Sequence, residues 1–197
     1  MKKIKRLLIL FTLLGAVLLY GSNALASPPH GAGDNPPKPQ DHTRHYEAML
    51  KELAKLKGVS VEELKEQFKK ECDADEARLS KLANEKGMSV DELKKKLREG
   101  RKAKHDKELE EKAKEKSITV EELKKQLEEE RLAKDKEIKA QAEKQGITTD
   151  ELMAHMWAQK LYEKEKELDE KAKKEGITVD ELKYKMLEEI LSYVPAQ

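Results

Sequence analysis

The sequence predicts an all-α protein, a tandem helical repeat of about 29–30 residues in which long charged helices are joined by tight Gly-Ile-Ser/Thr corners. Three observations support this. One stretch is written five times, as GVSVEELKEQF from Gly58, GMSVDELKKKL from Gly87, SITVEELKKQL from Ser117, GITTDELMAHM from Gly146 and GITVDELKYKM from Gly176, and the copies start 29, 30, 29 and 30 residues apart. Such a period marks a repeat architecture. Charged residues make up 41% of the chain and aromatic ones only 4%, the composition of long solvated helices rather than of a thick core. No segment alternates apolar and polar residues in the manner of a strand.

Residues 1–26 read as a secretory signal peptide, with a basic start at Lys2, Lys3, Lys5 and Arg6, an apolar run from Leu7 to Tyr20, and small residues Ala24 and Ala26 ahead of an expected cleavage after Ala26. The run has 14 residues, short of the roughly 18 or more of a spanning helix. Retention of the leader as an anchor is the open alternative. The mature protein is expected to be secreted or held in the cell envelope, with no stable membrane insertion. Residues 27–40, SPPHGAGDNPPKPQ, hold five of the six prolines and no large apolar side chain. They bury too little to offset their ordering entropy, so a disordered Pro-rich linker is expected. Removing the leader takes four of the 41 basic residues and none of the 40 acidic ones. A chain so balanced is expected to have no basic footprint for nucleic acid or an anionic membrane.

The helical repeat region, 41–197, is expected to open near Asp41 to Thr43 with an N-cap and to continue as helix to about Lys57. Each signature then follows one plan. Gly58 suits the left-handed residue that ends a helix, where a side chain would clash. Val59 is a buried pin, and Ser60 caps the next helix. Glu63 reaches back to the Ser60 amide, which completes a capping box, while Val59 and Leu64 have the spacing of a hydrophobic staple. The box is repeated at Ser89 with Glu92, Thr119 with Glu122, Thr148 with Glu151 and Thr178 with Glu181; the staple is repeated at Met88 and Leu93, Ile118 and Leu123, Ile147 and Leu152, and Ile177 and Leu182. Gly87, Gly146 and Gly176 repeat the helix stop. Ser117 departs from it, at a cost of roughly 1 kcal/mol in the left-handed region, so that corner is expected to be the weakest or to use a different cap.

Upstream of each corner an apolar residue is followed four positions later by alanine: Leu50/Ala54, Leu79/Ala83, Leu109/Ala113, Ile138/Ala142 and Leu168/Ala172. Four past each staple leucine stands another apolar residue: Phe68, Leu97, Leu127, Met156 and Met186. Each corner is therefore expected to carry its own small apolar cluster. The spacers between them are almost pure charge and should be continuous helix, helped by acid-to-base pairs at four residues such as Glu108–Lys112, Glu110–Lys114, Glu167–Lys171 and Glu170–Lys174, each contributing about 0.2–0.5 kcal/mol. The helix middles lack a continuous apolar stripe, which favours an extended zigzag over a compact bundle.

Little in the chain points to chemistry. His30, His42 and His45 gather in or beside the linker without the fixed geometry of a structural metal site, and no metal or cofactor is expected. No cleft is foreseen that would raise a carboxylate pKa. There is no glycine-rich phosphate loop and no Ser/His/Asp or Cys/His arrangement, so the chain does not read as an enzyme. Cys72, the only cysteine, leaves an intermolecular disulfide or an idle thiol. The fourth copy differs from the others: Met153, Trp157 and Leu161 are spaced by four, Tyr162 is adjacent, and Trp157 is the only tryptophan. This stripe reads either as packing on the final helix, where Tyr184, Leu187, Leu191 and Val194 offer a matching face, or as a site for a protein partner.

The unit LxxxAxxxGI(S/T)VEELKxxL behind an exported leader resembles small secreted proteins of the YckD-like type, of unknown function, from spore-forming Gram-positive bacteria. The resemblance covers about 18 residues at each corner, and those proteins carry fewer units. It implies export. The functional expectation is an exported, non-enzymatic scaffold, spacer or protein-interaction module of the cell envelope or extracellular space. An envelope holdase chaperone is the alternative, and a metal-buffering protein the third reading.

Overall fold

The structure, a computed structural model, describes residues 39–194, with side chains from 46 onward. The leader, its cleavage site, most of the linker and the side chains of His30, His42 and His45 lie outside the described residues. Six helices and no strand make up the described chain: α1 (Pro39–Lys57), α2 (Val61–Glu85), α3 (Val90–Glu115), α4 (Val120–Gln145), α5 (Thr149–Glu175) and α6 (Val179–Ser192). The chain is an all-α tandem helical repeat. α1 starts at Pro39, two residues before the earliest expected position. Proline suits a first helical turn because its φ is already helical and its missing amide has no partner to lose there.

The five corners are built alike. The residue that ends each helix is left-handed, at φ 64 to 68° for Gly58, Gly87, Gly146 and Gly176 and 55° for Ser117. Turned this way, the chain points two amides back into the helix it has left. Gly58 N–H donates to Lys55 O (3.2 Å) and Val59 N–H to Ala54 O (3.1 Å), the paired bonds of a Schellman motif. The bond reaching five residues back recurs at every corner and always ends on an alanine: Met88 on Ala83, Ile118 on Ala113, Ile147 on Ala142 and Ile177 on Ala172. All five alanines are buried, so a single methyl both accepts the turning chain and leaves room for it. Ser117 keeps both bonds at 3.0 Å. Its corner therefore uses the common cap, with a side chain where the others have none, and not a different one.

One residue later the next helix is capped. Ser60 N–H donates to Glu63 Oε2 (2.8 Å), and Ser60 Oγ accepts from Glu63 N–H (3.1 Å). The same reciprocal box closes at Ser89 with Glu92, Thr119 with Glu122, Thr148 with Glu151 and Thr178 with Glu181. The backbone bond first, and the hydroxyl second, hold each of these glutamates below the usual carboxylate range.

The chain divides into two compact units, one holding the described residues 39–72 with Glu130–Glu167, the other Asp73–Glu129 with 168–194. In the first, the corner at Gly58 does not stand alone. Met49, Leu50, Leu53, Ala54 and Leu64 share one core with Ala154 and Ala158 of α5. Two alanines four residues apart make a smooth strip on α5, and Lys57 Nζ pairs with Glu165 Oε2 at 2.7 Å beside it.

In the second unit α3 packs directly on α6. A methyl placed on Gly100 would run into the Ile190 carbonyl oxygen, with Ile190 Cγ2 3.2 Å away, so the mid-helix glycine serves close approach. Leu93, Leu97, Leu187 and Ile190 are buried. Polar ties surround the contact: Tyr184 donates to Glu85, Lys86 pairs with Glu188 at 3.3 Å, and Lys104 pairs with Glu189 at 2.8 Å. The corner at Ser117 comes nearest to a self-contained cluster, with Leu109, Ala113 and Leu123 covered by Ile118, Val120 and Leu127.

Two expectations are corrected. Corners do not each keep a private core, because small residues let copies distant in sequence join. The four acid-to-base pairs named from sequence do not close; the pairs that form at four residues run base-to-acid, as in Lys95–Glu99 and Lys107–Glu111 at 3.9 Å and Arg131–Asp135 at 3.5 Å, while Glu52–Lys55 and Asp75–Arg78 run acid-to-base at three. Exposed pairs of either order contribute only tenths of a kcal/mol, too little to hold long side chains in one geometry.

Ser117→Gly is expected to raise stability by about 0.5–1 kcal/mol, the relief of left-handed strain less the added freedom of the unfolded chain. A urea midpoint that stays or falls would contradict this. The cap glutamates titrate lower in the folded chain than in the unfolded one, so their contribution is complete above about pH 4.3 and is lost as the pH falls through their lowered values. Helicity is therefore expected to hold down to about pH 5 and to decline below about pH 4. Changing all five to glutamine should keep the neutral-pH helicity, since an amide oxygen still accepts both bonds, and flatten the acid decline followed by circular dichroism.

Candidate interaction surface at the fourth corner

Helical periodicity gives α5 two apolar faces. On one, Ala154 and Ala158 lie within the first-corner core, and Trp157, Leu161 and Tyr162 pack against its edge, half-buried. Lys160 sits 6.0 Å from the Trp157 ring and Lys166 4.4 Å from that of Tyr162, which covers the outer ring faces with cations. Met153 is half-buried on the adjoining side. Three of the four residues offered as partner-binding candidates are therefore packing residues. The surface they meet is that of α1 and α2. The matching face expected on the final helix is used otherwise, with Leu187 buried and Tyr184 bonded to Glu85.

The second face of α5 is the one left open. Ile147, the staple residue of the fourth corner, is 38% exposed, and Met156, downstream of its leucine, is 40% exposed. Their counterparts Val59, Met88, Ile118 and Ile177, and Phe68, Leu127 and Met186, are half-buried, and Leu97 is only 2% exposed. A helix turned to lay its alanine strip on α1 leaves Met156 on its far side, while Ile147, ahead of the helix, borders α1 without being covered by it.

Beside Ile147 a groove of about 580 Å³ opens, lined by Ala48, Lys51 and Glu52 of α1 and by Ile147, Glu151 and His155. His155 Nδ1 lies 3.1 Å from Glu52 Oε2. Lys55, which donates to Glu52 at 3.0 Å, and to a lesser extent His155, hold that carboxyl below its ordinary range. No hydroxyl or thiol lines the groove, so this histidine–carboxylate pair has no nucleophile beside it to activate. The groove offers an apolar floor with charged rims, the form of a seat for a side chain. Among the described residues no group of His, Cys, Asp and Glu is arranged to hold a metal ion, and no helix is long and apolar enough to cross a membrane. Cys72 is half-buried. Beside it the Tyr46 hydroxyl is pushed up in pKa by burial first and by the cysteine second.

Sequence reasoning treated Ile147 and Met156 as ordinary corner residues. The signal that singles them out was present: the fourth copy alone carries a doubled apolar stripe, and one helix cannot bury both faces against one neighbour.

Trp157→Ala is expected to lower stability by about 2–3 kcal/mol, below the loss for a fully buried tryptophan. Met156→Gln, on the open face, should change it by less than about 0.5 kcal/mol. Urea unfolding followed by circular dichroism checks both; equal effects would remove the distinction between the two faces. No family model, no curated protein and no solved structure matches the chain.

Proposed function

We propose that the protein is an exported, non-enzymatic scaffold or interaction module of the cell envelope or extracellular space, and that the fourth corner is where it holds a protein partner. The observation behind this is the exposure of Ile147 and Met156 at the one corner whose counterparts are covered elsewhere in the chain. Methionine is enriched in interface centres, and a polar rim surrounds such centres. Lys51, Glu52 and Glu151 supply that rim around the groove. Export rests on the leader at residues 1–26 and on the YckD-like resemblance of the repeat unit.

A holdase is the second reading, favoured by the scatter of exposed apolar side chains, Leu56 and Leu132 as well as Ile147 and Met156, over a highly charged chain. A photo-crosslinking residue at position 156, activated on the producing cell, separates the two. A single discrete partner, lost in the Ile147→Thr, Met156→Gln double variant, is the expected outcome. Heterogeneous adducts together with stoichiometric suppression of client aggregation would replace the proposal with the holdase, and no adduct would overturn both.

A further inference from the structure

One stretch of α3 is strongly basic in a chain whose total charge is near zero. Between Lys94 and Lys107 eight lysines and arginines face two acidic residues, a local excess that the near-zero net charge of the whole chain conceals. Arg98 is the extreme case. Its helical neighbours three and four residues away, Lys94, Lys95, Arg101 and Lys102, are all basic, and like charges at these spacings weaken a helix. Arg101 feels the same field: burial first, and the Arg98 charge second, lower its pKa.

The fold does not account for this cost. Leu97 and Gly100 of this stretch are buried, and Gly100 lies against Ile190 of α6. Lys104 is engaged with Glu189 at 2.8 Å and lies 5.7 Å from the Tyr193 ring; Lys107 pairs with Glu111 and Lys95 with Glu99. Of the rest, Lys96 and Arg101 are half-buried, and Lys94, Arg98 and Lys102 stand with His105 at i, i+4, i+8 and i+11 on one face. The last three are exposed and Lys94 is half-buried. A rule of the sequence broken without structural return is where a function is to be sought.

We propose that this face of α3 binds a linear polyanion made of phosphate groups without bases. The row spans about 16 Å, with Lys94, Arg98 and Lys102 about 6 Å apart along the axis and His105 a turn beyond, so a chain of closely spaced phosphates can set an anion against each cation. Arg98 adds a planar fork suited to phosphate oxygens. No exposed apolar side chain flanks the row to enter a lipid boundary, as a membrane-surface helix requires. No aromatic ring lies on the face to stack a base, as single-stranded nucleic acid binding requires. The site lies in a different unit from the fourth corner and does not depend on the function proposed there.

Fluorescence anisotropy of the full-length protein with labelled long-chain inorganic polyphosphate tests the proposal. Binding should weaken with salt at a log–log slope of about −2 to −3, as three or four phosphate contacts give. Arg98→Gln should lose about tenfold in affinity at low salt and flatten the slope by about one. Its helicity should stay equal or rise, because like-charge pairs are removed. Lys124→Gln with Lys125→Gln, exposed on α4, should bind as the parent does. The proposal is overturned by absence of binding at low salt, by equal loss in the Arg98 and α4 variants, by unfolding of Arg98→Gln, or by tighter binding of duplex DNA or of anionic phospholipid vesicles.

Discussion

Everything in this chain depends on the hydrogen bond from the residue after each left-handed corner to the alanine carbonyl five positions back, as from Val59 to Ala54. It satisfies a carbonyl that a helix end would leave orphaned and sends the chain off in a set direction. One residue later the serine or threonine cap closes the amides of the next helix. Three residues thus serve as both a stop and a start. They bring a staple leucine down beside the buried alanine, and Leu64, Leu93, Leu123, Leu152 and Leu182 are all buried. The helices between corners could not supply this order themselves, since their exposed ion pairs contribute tenths of a kcal/mol each.

Apolar content is low, and the structure uses small residues to concentrate it. Ala154 and Ala158 let α5 settle on the first corner, and Gly100 lets α3 meet the backbone of α6 at Ile190. Where helices come this close, a few leucines are shielded on several sides at once, which a lone corner cannot achieve. Each of the two units gathers copies that are far apart in the sequence.

The departures from the repeat are the informative positions. Ser117 carries a side chain in a conformation its four counterparts leave to glycine, and it does so within the same pair of bonds. The fourth copy carries two apolar faces where one would suffice, and Ile147 at the corner and Met156 on α5 stay exposed. Arg98 stands among four basic neighbours in a chain whose total charge is near zero. The first departure bears on stability, while the other two concern surfaces the fold itself does not use.

The corners were legible in the sequence to the residue, from Gly58, Ser60 and Glu63 through Gly176, Thr178 and Glu181, because every bond in them joins groups within six positions of one another. The helices between them, 25 to 27 residues long from α2 to α5, followed from the same spacing. Which corners meet did not follow. Five copies present nearly the same leucine and alanine pattern, so sequence alone makes every pairing of copies equivalent, and a sum of packing over whole helices breaks the tie. That sum sent Trp157 to α1 rather than to the final helix and gave α6 to α3. It also left the fourth corner uncovered. Local hydrogen bonding was determined by the sequence by itself; partner choice among near-identical apolar faces was decided only by the tertiary structure, because close approach at Ala154, Ala158 and Gly100 depends on surfaces distant in the chain.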